Sequence, residues 1–225
     1  NNVDGYKIHS EDFFNSFFIE EVINLKKPVL INLGGTYKSE VFELINFLKK
    51  RKKLNKKIIL MHGVQTFPTP PEGHSLYEFK KLIENYKKFN VGFGYSDHID
   101  GSNSLSSIFP TMAYLLGANL IEKHFTDNRK FKRTDYQSAL DATQIKNFLI
   151  NFDIINKNLK ESNSVAKFEN MYRNMFKKSC AFRNDKIQNQ TIKESDFKFI
   201  KSKKNKSYFF SHNLVGKKVK KTISK

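Results

Sequence analysis

The sequence predicts an α/β chain: a (β/α)8 TIM barrel, here incomplete at about five βα units, followed by a small C-terminal β-rich domain. Three observations carry that expectation. Short apolar runs alternate with amphipathic helical patterns, the signature of a parallel sheet covered by helices. Several different runs end in polar side chains, as strands do when a barrel builds its site from their C-terminal ends. No G-x-G-x-x-G turn follows any run, which argues against an open, dinucleotide-binding sheet.

The first run, Gly5–Ile8, carries Lys7 and leads to Ser10. If Tyr6 faces the helices, Lys7 faces the barrel interior. There it can hold a phosphate or carboxylate as a point charge; the alternative is a lysine snorkelling to water. The second run, Pro28–Leu33, contains Asn32 and meets the Gly34-Gly35 pair, read as a tight turn. Val41, Leu44, Ile45 and Leu48 then share one helical face. The third run, Lys57–Met61, opens into HGVQTFPTPPEG, residues 62–73, which includes Gln65 and Phe67. Its three prolines make a stiff, extended loop, suited to a pocket wall formed with Phe67. A second helical face follows at Leu76, Phe79, Leu82, Ile83 and Tyr86. The fourth run, Val91–Tyr95, delivers GYSDHIDG, and the fifth, Asn119–Glu122, delivers His124. Ile145, Phe148, Leu149, Phe152, Ile155 and Leu159 mark a long helix with Asp141 as its N-cap.

A closed barrel takes eight units. The chain shows five and starts at Asn1 just before its first strand. The expectation is therefore a C-terminal portion of a longer barrel, residues 1–160, with about three βα units missing and a sheet edge exposed. A polar linker is expected at 161–170 and the second domain at 171–225, strand-and-turn in character. Within it Thr191-Ile192-Lys193-Glu194 reads as a capping box opening a short helical turn.

Composition narrows the class. With 39% hydrophobic residues in 225, the chain is globular rather than disordered. It has neither a transmembrane-length apolar run nor a signal-peptide pattern at its start. One cysteine, Cys180, excludes an internal disulfide and suggests a reducing, cytoplasmic setting. Net charge is +18, and residues 161–225 hold 17 Lys/Arg against 5 Asp/Glu. In a chain this rich in Lys, Asn, Ile and Phe, solvated lysines account for the excess better than a polyanion surface. Small molecules, rather than membrane or nucleic acid, are the expected partners.

His98 and His124 are the sharpest chemical signal. Each lies just past the end of a strand, and the two strands are consecutive. Neighbouring strands run about 4.8 Å apart, so equivalent end positions can converge on one ion. Imidazole suits several divalent metals, and two histidines without cysteine leave positions for substrate or water. The period of two points Ser96 the same way as His98 and Asp97 the other way.

YKIHS, PVLINLGG, LMHGVQTFPTPPE, GYSDHIDG, GANLIEKHFT and the aspartate of RTD occur in this order, with eleven residues from His124 to Asp135. Together they resemble the sialic acid (N-acetylneuraminate) synthase family. The segment from KKSCAFRNDKIQ to LVGKKVKK is similar to that family's C-terminal antifreeze-like (SAF) domain. The resemblance implies a TIM barrel plus that domain in a domain-swapped homodimer. It implies condensation of phosphoenolpyruvate with an N-acetylmannosamine-type amino sugar, giving a nonulosonic acid and phosphate. A divalent metal, Mn²⁺ or Mg²⁺, would assist, with His98 and His124 as its ligands. Lys7, Ser10 and Ser96 resemble phosphoenolpyruvate-binding groups, and Asp135 a carboxylate that bonds the amino sugar. Asp97 and Glu122 would support the metal or act as acid and base.

Departures fall on the substrate side. Asn32 stands where many members have serine, Gln65 where asparagine is usual and Phe67 where tyrosine is common. Lys201-Ser202-Lys203-Lys204 replaces an arginine-bearing turn. The alternatives are an inactive sugar- or polyanion-binding relative and a barrel aldolase using Lys7 as a Schiff base.

Overall fold

Five parallel strands lie side by side in chain order: β1 (Tyr6–Ile8), β2 (Val29–Asn32), β3 (Ile58–His62), β4 (Gly92–Asp97) and β5 (Leu120–Lys123). Helices α1 (Ser16–Asn24), α2 (Lys38–Lys50), α3 (Leu76–Tyr86), α4 (Leu105–Leu116) and α5 (Ala142–Asn158) follow them in turn. This computed structural model describes residues 3–160, 167–201 and 209–224. Contacts divide the chain into two units between Leu159 and Lys160.

The three central strands, β2 to β4, match the apolar runs because they are largely buried on both faces. Val29 and Ile31 of β2, Ile58 and Leu60 of β3, and Phe93 and Tyr95 of β4 share a core with the helices. The helices contribute the stripes their spacing predicts: Val41, Leu44, Ile45 and Leu48 from α2, and Phe79 and Tyr86 from α3. Asp141 caps α5 through a reciprocal pair of bonds with Gln144, each 2.9 Å.

The sheet curls strongly. Lys7 on the first strand donates to Glu122 Oε1 on the last at 2.7 Å. Four flat strand spacings would separate those strands by about 19 Å, beyond the combined reach of the two side chains. Register assigns the concave side to Lys7, Leu30, Asn32, Met61, Gly94, Ser96 and Glu122. Crowding there explains a glycine inside a strand: a Cβ on Gly94 would sit 2.1 Å from the Met61 sulfur. One edge of the sheet is β1; at the other, β5 is followed by a single parallel bridge, Phe125–Leu140.

The second unit contains α6 (Lys167–Phe176) and an antiparallel pair, β6 (Ser179–Phe182) and β7 (Phe197–Ile200). Cys180, Ile192, Phe197 and Val219 form its small core. Two expectations are corrected here. α6 occupies the end of the expected linker and the start of the strand-and-turn segment; Phe168, Met171, Tyr172, Met175 and Phe176 supply a helical stripe. The capped turn is Glu194–Asp196, closed by the Lys193 amide donating to Asp196 at 2.8 Å. Thr191 does not cap it, because Thr191 is bridged to Lys218. Ser202, Lys203 and Lys204 lie outside the described residues. Among the described residues, no helix is long and apolar enough to cross a membrane.

Candidate active site at the strand ends

The ends of β4 and β5 read Ser96-Asp97-His98 and Glu122-Lys123-His124, and the register pairs them position by position. Ser96 is opposite Glu122, and Asp97 is opposite Lys123. Parallel partners at one level point to one side. Ser96 and Glu122 therefore share the concave face, while Asp97 and Lys123 share the helix-facing side.

His98 and His124 bring their rings within 5.1 Å, centre to centre. Two imidazoles each holding one ion at about 2.1 Å would place their ring centres roughly 5 Å apart. The His98 ring is oriented by Nδ1, which lies 2.6 Å from the Val64 carbonyl. A carbonyl only accepts, so Nδ1 carries the proton and Nε2 keeps its lone pair. Burial holds the His98 pKa below its ordinary value, favouring the neutral ring that a metal needs. His124 is half-buried, with Nδ1 3.9 Å from an Asp135 carboxylate oxygen. That is beyond a hydrogen bond. Among the described residues no group of three His, Cys, Asp or Glu could hold a metal. The two imidazoles fit an open site completed by other oxygen ligands, not a closed structural one.

The concave face carries the other polar groups. Lys7 and Glu122 are in contact at 2.7 Å. Asn32 accepts from the Gly34 amide at 2.8 Å, which leaves its Nδ2 buried without a partner, as is the Ser96 hydroxyl. A buried polar atom left unpaired costs about 1–3 kcal/mol, so two orphaned groups on the face that carries Lys7 are suited to a polar ligand. Gln65 packs on Gly34, where a Cβ would lie 2.1 Å from its Cγ. Ser10 begins a short turn after β1. Asp135 stands near His124 with one carboxylate oxygen buried and unpartnered.

Two expected residues are placed elsewhere. Phe67 is 54% exposed and makes no ring contact among the described residues. Asp97 turns to the helix side and pairs with Lys123, with side chains 0% and 4% exposed. That leaves its supporting role and removes the acid–base one, because its carboxylate faces away from the concave surface. His62, another polar strand end, also faces the helices and lies against Phe79 and Tyr95.

The turn carrying His98 is held residue by residue. Thr69 N and Ser138 Oγ donate to the His98 carbonyl at 2.9 and 2.8 Å. Lys123 donates to the Ile99 carbonyl at 3.1 Å, and Arg129 to Asp100 at 2.9 Å. Gly101 donates to the Gln137 carbonyl at 2.7 Å and accepts from Gln144 at 2.6 Å. Sequence reasoning missed Val64, Thr69, Lys123, Arg129 and Ser138. Lys123 alone had a signal: if His124 points inward, Lys123 points into the helix layer, where it needs a carboxylate in phase.

A family model described as the NeuB family matches residues 1–164. An uncharacterized protein, MJ1065, of Methanocaldococcus jannaschii is 32% identical over 158 residues, 70% of this chain and 44% of that protein. Pseudaminic acid synthase of Campylobacter jejuni is 31% identical over 142 residues, 63% of this chain and 38% of that enzyme. The crystal structure of N-acetylneuraminic acid (sialic acid) synthetase from Leptospira borgpetersenii, in complex with citrate, superposes with a TM-score of 0.62 at 26% identity. That match covers 77% of this chain and 58% of the other. The chain thus spans less than half the length of these two curated relatives.

Proposed function

The chain belongs to the NeuB family, and from that premise we propose that it serves the condensation of phosphoenolpyruvate with an N-acetylmannosamine-type amino sugar, yielding a nonulosonic acid and phosphate. One observation carries the proposal. The facing rings of His98 and His124, 5.1 Å apart, stand at the same strand ends as the concave cluster of Lys7, Asn32, Ser96 and Glu122. The reaction needs both features: a divalent ion for an aldehyde oxygen, and cationic and neutral donors for a phosphate and a carboxylate.

His98 and His124 would hold Mn²⁺ or Mg²⁺, which when bound polarises the sugar's aldehyde as a Lewis acid. Lys7 then exchanges Glu122 for an oxygen of phosphoenolpyruvate. Asn32 Nδ2 and the Ser96 hydroxyl donate to its remaining oxygens, gaining the partners they lack in the free chain. Ser10, in the turn after β1, adds a hydroxyl. Carbon 3 of phosphoenolpyruvate forms the new bond to the aldehyde carbon, water adds at carbon 2, and phosphate leaves. Glu122, released from Lys7, takes one proton of the entering water and passes it to the alkoxide formed from the aldehyde oxygen; the water's other proton leaves with the phosphate as the carbon 2–oxygen bond breaks and the keto group forms. Asp135 accepts from the amino sugar. The substitution at Gln65 bears on which sugar is accepted. A closed eight-stranded barrel, the antifreeze-like identity of the second unit and a domain-swapped homodimer belong to the same proposal, supported by the motif resemblance.

The test is phosphate release. The protein should release phosphate only when phosphoenolpyruvate, a divalent ion and an aldose of this class are all present. No release across a panel of N-acetylated hexosamines, with metal demonstrably bound, would overturn the proposal and favour a non-catalytic binding role.

A further inference from the structure

We propose that Lys123, clamped by Asp97, is the positioning residue that fixes His98 and His124 against one another; the inference rests on reading those histidines as a metal pair. Lys123 immediately precedes one histidine. Its ammonium reaches the other strand at two points flanking the second histidine, the Asp97 carboxylate and the Ile99 carbonyl. One side chain therefore ties the backbone on both sides of His98 to the residue that carries His124. The β4–β5 backbone pairing joins the same two segments as far as Asp97 and Lys123, and the Lys123 ammonium carries the tie past His98 to Ile99.

Chemistry gives the arrangement a further consequence. The pair is sealed on the helix-facing side, with 4% and 0% of the side chains exposed, directly behind a candidate cation site. An unpaired ammonium there would repel a divalent ion. Asp97 cancels that charge, so Lys123 can donate at both points without opposing the metal. An apolar pair could fill the same space, and buried ion pairs are often replaced by apolar residues with little loss of stability. It could not reach the Ile99 carbonyl, however. The two roles of the pair, packing and alignment, are therefore separable.

The test uses the whole chain and the double variant Asp97→Leu/Lys123→Met, with two readouts. The first is Mn²⁺ affinity by titration calorimetry. The second is the long-range ¹H–¹⁵N histidine spectrum of the metal-free protein, with cross-ring NOEs between His98 and His124. The expected result is a melting temperature close to the parent's and Mn²⁺ binding weakened about tenfold or more, as when groups that orient metal ligands are lost. The cross-ring NOE should also be lost. A folded variant that keeps parental Mn²⁺ affinity and the parental histidine spectrum would overturn the proposal. If the double variant does not fold, Lys123→Arg keeps the charge but not the ammonium geometry, and the same two results decide. If the parent binds no Mn²⁺, the metal reading fails, and the histidine spectra still decide whether Lys123 aligns the rings.

Discussion

Replacing Glu122 with glutamine should tighten phosphate binding while slowing turnover. In the free chain the Lys7 ammonium is occupied by Glu122 at 2.7 Å. An incoming phosphate must displace that carboxylate before Lys7 can hold it. The side chains are 36% and 27% exposed, so solvent screens the pair and it contributes only about 0.5–1 kcal/mol. Glutamine keeps the shape and releases most of that energy to the incoming anion, a gain of roughly two- to fivefold in affinity. Phosphate release should fall by about 10²–10⁴-fold, the usual contribution of an acid–base group. Titration with inorganic phosphate in the presence of a chelator reads the first effect, and a coupled phosphate assay the second. The gain should vanish in a Lys7→Ala background. Unchanged or weaker phosphate binding by Glu122→Gln, with Lys7 intact, would refute the exchange of Glu122 for substrate.

Gly101→Ala should destabilise the chain by about 1–3 kcal/mol, read as a lower urea midpoint, because the new Cβ would lie 2.0 Å from the Ala139 carbonyl oxygen. Acid sensitivity follows from His74, which is 8% exposed and has Nδ1 3.0 Å from the Tyr95 hydroxyl. Burial, first, and neighbouring positive charges lower its pKa from 6.5 to about 4. The unfolded chain therefore binds this proton more readily than the folded one. The contribution is fully present above pH 6.5 and is lost as pH falls toward 4, amounting to at most about 3 kcal/mol. Urea midpoints measured from pH 7.5 to 4 should fall less steeply in His74→Gln than in the parent; equal slopes would remove His74 as the cause.

The parallel sheet was legible because its strands are nearly unbroken apolar runs, and β2, β3 and β4 need no partner context to be read that way. The phase of the site was legible too: a period of two separates Ser96 and His98 from Asp97 whatever the surrounding fold. α6 was hidden because Glu169, Asn170, Arg173 and Asn174 make KFENMYRNMF look like linker, and its apolar stripe shows only when counted at helical spacing. Thr191 had the right spacing for a cap, but a bridge to Lys218, distant in sequence, decided its conformation. The hold on His98 was largely invisible for a different reason. Its partners include the Val64 carbonyl and the Thr69 amide, and every residue has those groups. Lys7 meeting Glu122 depends on the curl of the whole sheet, which neither motif contains.

At the centre of the proposed reaction is one divalent-metal site formed by His98 and His124. Mn²⁺ titration followed by electron paramagnetic resonance tests it most directly, on the parent chain and on His98→Ala and His124→Ala. One bound Mn²⁺ per parent chain is expected, with that site lost in each variant and the fold retained by circular dichroism. Parental Mn²⁺ binding in both folded variants would contradict it.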